Sequence, residues 1–199
     1  MLILKDGSST TKDEDNAMAL LNKFCPDNSP DQDNELQRNI RTTFSGSRPP
    51  DTQMEPAFTQ HELEEIITKL EDKKCPGPNG VDGTMVKQIH KILPGFWLAI
   101  FNKCLQLGCF PEIWKKANLI AIPKADKSRL LTVSGYRGIS LLSIPGKCLE
   151  KLVTKRLNYL LESTNHIPPQ QYGFTTGKSS VDAIKAVTDF VYRNKQLGS

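Results

Sequence analysis

Only one stretch of this chain reads as β-structure, and helical patterning bounds it on both sides. In "IAIPKADKSRLLTVSGYRGISLL", residues 120–142, two short apolar runs flank a polar loop. The pattern predicts a strand from about Ala117 to Pro123 and an antiparallel partner from Tyr136 to Leu141. About a dozen residues join them, which is long for a hairpin and marks the connection as a candidate functional loop. The class expected is therefore α+β, mostly helical, with a small antiparallel hairpin.

Helix signals fill most of the rest. "DEDNAMALLNKF" predicts a short helix over residues 13–24, with Ala17, Leu20, Leu21 and Phe24 on one face. The turn-rich segments "CPDNSPDQDN" and "SGSRPPDTQMEP" follow, so residues 1–58 read as a weakly structured connector with a helix or two. A domain boundary is expected near Phe58. Thr59 and Glu62 then form a capping box ahead of Leu63, Ile66, Ile67 and Leu70. "CPGPNGVDG" ends that helix, "TMVKQIHKIL" begins another, and "FWLAIFNKCLQLG" is a third, closed by Gly108. "CFPEIWKK" makes a short turn into the first strand. After the hairpin, "SIPGKCLEKLVTKRLNYLLES" predicts a long helix striped by Leu149, Leu152, Val153, Leu157, Leu160 and Leu161. Ser179 and Asp182 are a second capping box, opening a helix expected to bury Val181, Ile184, Val187 and Val191.

Charge is unevenly placed. Residues 1–60 carry 6 Lys and Arg against 10 Asp and Glu, whereas residues 115–156 carry 10 against 2. A block this basic suits a polyanion, because each phosphate neutralised releases counterions; a solvated basic surface is the equally ordinary alternative. Lys147, Lys151 and Lys155 recur four apart on a face of the long helix other than its apolar stripe. Lys124 ends the first strand and Arg137 opens the second, so both can converge on one anion, Arg as a planar fork and Lys as a mobile point charge. On spacing alone, two surface cations flanking a hairpin is the more ordinary reading.

Several chemistries are disfavoured. "GFTTGKSS" ends like a phosphate-binding loop, but its first glycine is one residue too close and no strand precedes it. A glycine turn leading to a capped helix is the better reading, with Lys178 beside N–H groups that can face a phosphate. Five scattered cysteines form no CxxC pair, the three histidines are equally dispersed, and neither a disulfide framework nor a metal site is expected. A reducing, intracellular setting fits that cysteine usage. No apolar run is long enough to span a bilayer, so no membrane partner is expected.

The order of four segments carries more than any one of them. "KKCPGPNGVDG", "FPEIWKKANLIAIPK", "YRGISLLSIPGKCLEKLVTKRL" and "QQYGFTTGKSSVDAI" occur in the order and approximate spacing of the reverse transcriptases of non-LTR (LINE-type) retrotransposons. The chain resembles the N-terminal part of such an enzyme: residues 1–58 the connector, residues 59–199 the fingers and the start of the palm of a partial right-hand polymerase fold. It departs from the family's usual residues at Cys75 (usually Ala), Asn79 (usually Asp), Gly138 (commonly Pro) and Thr175 (usually Arg).

The resemblance implies an RNA-directed DNA polymerase, a nucleotidyltransferase whose partners are an RNA template, an RNA–DNA hybrid and a deoxynucleoside triphosphate. It makes Lys124 and Arg137 nucleotide contacts, and Lys147, Lys151, Lys155 and Lys178 nucleic-acid contacts. Mg²⁺ is implied for a complete polymerase, held by aspartates expected beyond Ser199; no metal or catalytic residue is assigned within the chain. A nuclear setting is likewise implied by resemblance alone. A non-enzymatic nucleic-acid-binding module and a degenerate retroelement remnant are the alternatives.

Overall fold

The computed structural model describes residues 2–4, 7–26, 29–44, 55–125 and 130–196, in two compact units, Met1–Leu152 and Val153–Ser199. The first unit begins with a two-residue ribbon, β1 (Leu2–Ile3) against β2 (Ser9–Thr10), and helix α1 (Asp13–Phe24). Sequence periodicity located α1 but not the ribbon, which is too short to show alternation. Helix α2 (Glu35–Phe44) follows. Asn34 and Gln37 cap it reciprocally, each side chain accepting from the other's backbone N–H at 2.8 and 2.9 Å. Buried Asp33 accepts a two-pronged grip from Arg41.

The core is helical. α3 (Gln60–Thr68), α4 (Gly83–Ile92), α5 (Phe96–Leu107), the single-turn α6 (Glu112–Lys115) and the first half of α7 (Ile144–Ser163) supply it. The expected capping box at Thr59 and Glu62 is present, and Leu63, Ile66 and Ile67 are buried as the spacing predicted. Phe101 is fully buried between Trp97, stacked at 5.9 Å, and Trp114, edge-on at 5.9 Å. The indole N–H of Trp97 donates to the Val86 carbonyl at 3.1 Å, which removes the cost of burying it. Asn102 ties the lead-in to α3 onto α5. Its amide oxygen accepts from the Phe58 N–H at 2.6 Å and its Nδ2 donates to the Phe58 carbonyl at 3.1 Å. Gly108 closes α5 in a left-handed conformation, φ 59°.

Out of this core runs the antiparallel hairpin, β3 (Ala117–Pro123) paired with β4 (Tyr136–Leu142). The mostly helical α+β class is the one expected, and it is consistent with part of a polymerase hand. Among the described residues no helix is long and apolar enough to cross a membrane. All five cysteines are free thiols.

The second unit corrects one expectation. α8 (Ser180–Gln196) opens on the anticipated capping box, Ser179 N–H to Asp182 Oδ2 at 2.8 Å and Asp182 N–H to Ser179 Oγ at 3.2 Å. The Ser179 hydroxyl, donating to the same carboxylate oxygen at 2.6 Å, and then the Ser179 N–H hold the Asp182 carboxyl below its ordinary range. Yet Val181, Ile184, Val187 and Val191 are exposed, as are Val153, Leu157 and Leu160 in the second half of α7. Periodicity reports that a helix has an apolar face, not that something covers it, and a unit this short cannot enclose one.

Cys148 offers a check on the core. It is fully buried in α7, and burial pushes its thiol from an ordinary 9.0 up to about 11, offset in part by nearby Lys151. The folded chain thus keeps a proton that the unfolded chain releases, so stability is full below pH 9 and declines as pH rises toward 11. Relative to Cys148→Ala, the wild-type chain is expected to lose roughly 1.4 kcal/mol per pH unit across that window. Urea midpoints of both proteins from pH 8 to 11 are the measurement, and parallel curves would refute it.

Candidate nucleotide and nucleic-acid interface

Strand alternation decides which side chains of the hairpin can cooperate. The register sets Ile122 opposite Arg137 and Pro123 opposite Tyr136, and it continues past the strand end, where the Lys124 N–H donates to the Gly135 carbonyl at 2.7 Å. Lys124 lies two residues beyond Ile122, so Lys124 and Arg137 share one face, diagonal to each other. The candidate pair therefore falls on one face of the ribbon. The Arg137 side chain is exposed. Lys124 is half-buried, its Nζ donating to the Ser134 carbonyl at 2.8 Å within the short 3₁₀ turn Val133–Gly135. That contact occupies one of three N–H donors and holds the ammonium near the ribbon. Residues 126–129 of the connecting loop lie outside the described set.

The proximal end of the ribbon is held by the "GPNGV" turn. A Cβ on Gly77 would lie 2.5 Å from the Leu142 carbonyl carbon and 2.6 Å from the Ser143 nitrogen, so only glycine lets this turn reach the β4–α7 junction. Asn79 Nδ2 then donates to the buried Ser143 hydroxyl at 3.0 Å. Ser143 was not singled out from the sequence, where an isolated serine between strand and helix carries no signal.

On α7, Lys147 is half-buried and Lys151 and Lys155 are exposed. Their four-residue spacing aligns them along the helix, beside the buried face of Cys148, Leu149 and Leu152 and roughly a quarter-turn from it. In the second unit the Lys178 ammonium donates to the Pro169 carbonyl at 2.6 Å and the Gln171 carbonyl at 3.0 Å. It also lies 5.3 Å from the Tyr172 ring centroid. Lys178 thus staples its own turn, leaving at most one N–H for another acceptor. At that turn Phe174 stands fully exposed with φ 56°, an uncommon backbone for a bulky residue. The sequence reading passed over it; "YGFTTG", an aromatic between two glycines, was the available signal.

Among the described residues no group of three or more His, Cys, Asp or Glu side chains could hold a metal ion. The Mg²⁺ implied by resemblance has no fitting donor set among them.

Comparison with known proteins gives the chain's family. No family model matches the chain. It is 32% identical over 182 residues, 92% of its length, to the retrovirus-related Pol polyprotein of type-1 retrotransposable element R1 from Bradysia coprophila. It is 34% identical over 134 residues to the RNA-directed DNA polymerase of the mobile element jockey from Drosophila melanogaster, covering 67% of the chain. The jockey polymerase of Drosophila funebris is 32% identical over 155 residues, covering 78%. The chain belongs to the Pol family of non-LTR retrotransposons. It spans 17%, 14% and 16% of the lengths of these three relatives.

The staple at Lys178 yields a direct expectation. Lys178→Met keeps the stem over Tyr172 but deletes both carbonyl bonds, so amide exchange across residues 169–179 should quicken by on the order of tenfold, about the worth of one charged hydrogen bond. Exchange in that segment unchanged from wild type would show that the bonds do not order the turn.

Proposed function

We propose that this chain is the fingers and palm approach of a non-LTR reverse transcriptase, gripping the triphosphate of an incoming deoxynucleotide through Lys124 and Arg137. The observation that carries the reading is the register: two cations of complementary geometry, on opposite strands, share one face of a ribbon. The relatives' names, RNA-directed DNA polymerase among them, give that anion its class. A triphosphate is a chain of anionic centres, suited to one bidentate fork and one movable point charge. The α7 stripe Lys147, Lys151 and Lys155 serves the backbone of template or hybrid, where evenly spaced cations meet evenly spaced phosphates. Lys178, already donating twice within its turn, supplies at most one further phosphate contact.

Two measurements test this. Losing a charged hydrogen-bond partner costs roughly 1.5–3 kcal/mol, so Lys124→Ala and Arg137→Ala should each weaken deoxynucleoside triphosphate binding by about ten- to a hundredfold. Arg137→Lys keeps the charge but not the fork and should also bind more weakly. Wild-type affinity in all three would return both residues to the status of surface cations.

For the polynucleotide, each α7 lysine replaced by Ala should lower the slope of log affinity against log salt by roughly 0.7–0.9 per lost phosphate contact. Titrations of an RNA–DNA hybrid at several salt concentrations give that slope. A triple variant with the wild-type slope would mean the stripe faces only water.

A further inference from the structure

The turn that holds Lys124 is itself held from far away in sequence. Residues 131–135 present five backbone carbonyls, and each has a donor. The Thr132 carbonyl accepts from the Gly135 N–H at 3.0 Å, within the turn. The Ser134 and Gly135 carbonyls accept from the Nζ and the backbone N–H of Lys124, at 2.8 and 2.7 Å. The other two accept from the N-terminal segment, the Val133 carbonyl in addition to the Tyr136 N–H within the turn. The Ile3 N–H donates to the Leu131 carbonyl at 2.6 Å, and Lys23 Nζ donates to the Val133 carbonyl at 2.8 Å. Lys23 and Lys124 thus hold adjacent carbonyls of one short turn.

Phe24, the next residue of α1, meets the opposite face of the ribbon. A Cβ on Gly138 would stand 2.7 Å from Phe24 Cγ and 2.9 Å from Cδ2, a distance real side chains do not adopt. Gly138 adjoins Arg137, and neighbouring strand residues point to opposite faces. Phe24 therefore backs the ribbon at the position next to the one where Arg137 faces forward. An isolated glycine inside a strand often marks such close approach by another element.

We propose that Lys23 and Phe24 are positioning residues: the N-terminal segment braces the hairpin and fixes where it presents Lys124 and Arg137. This rests on the reading of those two as anion contacts. A two-stranded ribbon is marginal by itself, and a grip shared by two side chains needs both strands held to within a fraction of an ångström. The core fixes the proximal end through Gly77 and Asn79; the N-terminal segment fixes the distal turn and the back face.

The test uses the full chain and two readouts, amide exchange over residues 130–142 and the dissociation constant for a deoxynucleoside triphosphate. Phe24→Ala and Lys23→Met should each quicken exchange there while leaving α3–α5 unchanged, and weaken triphosphate binding by on the order of tenfold. Lys23→Met removes the ammonium but leaves Phe24 in place, so it reports even if Phe24→Ala disturbs α1. Gly138→Ala should act like Phe24→Ala, and the double variant should be no worse than either alone, because the smaller side chain makes room for the new Cβ. Wild-type exchange in Phe24→Ala and Lys23→Met would overturn the brace. Faster exchange with wild-type affinity, while Arg137→Ala binds weakly, would overturn the positioning role. If Arg137→Ala binds as wild type, the anion reading fails first and the positioning role falls with it.

Discussion

A two-stranded ribbon in water has too little buried area to hold its own shape, and the candidate nucleotide contacts of this chain stand on such a ribbon. What fixes β3 and β4 therefore governs the presentation of Lys124 and Arg137. At the proximal end the means is steric. Gly77 brings a turn into van der Waals contact with the backbone between Leu142 and Ser143, and Asn79 secures it with one hydrogen bond. α7 continues from that junction straight into the core through Ile144, Cys148 and Leu149. The proximal strand ends are thereby tied directly to the core.

The core to which the ribbon is tied draws on residues from Phe58 to Leu152. Trp97, Phe101 and Trp114 form a ring cluster within it from two neighbouring helices, and the indole N–H of Trp97 is satisfied inside it. Large rings bury much apolar area per residue ordered, which suits a unit with so many turns. Asn102 does the equivalent for the lead-in segment, standing in for a backbone partner at Phe58.

Local features of this architecture were legible because their causes are local. A capping box is four residues long, and both Thr59–Glu62 and Ser179–Asp182 formed where spacing placed them. The hairpin, too, announces itself by two apolar runs about a loop, and its strands start where expected, with β4 running one residue further, to Leu142. The misses share a different cause. The α8 valines satisfy helical periodicity without being buried, since the pattern is blind to what lies across from it. The bonds of Lys178 to two carbonyls of its own turn depend on the path of an irregular segment, on which residue spacing is silent.

Gly138 lies between these cases. Its presence in a strand was visible, and so was the Pro common in the family at that position, but the reason sits more than a hundred residues upstream in Phe24. Proline there would bring ring atoms into the space the phenyl ring occupies, and it would remove a backbone N–H from the strand. Glycine keeps the N–H and vacates the volume. The departure from the family pattern and the docking of α1 are thus two sides of one steric fact. A relative with Pro at the equivalent of Gly138 must seat its N-terminal segment differently, or not on this face at all.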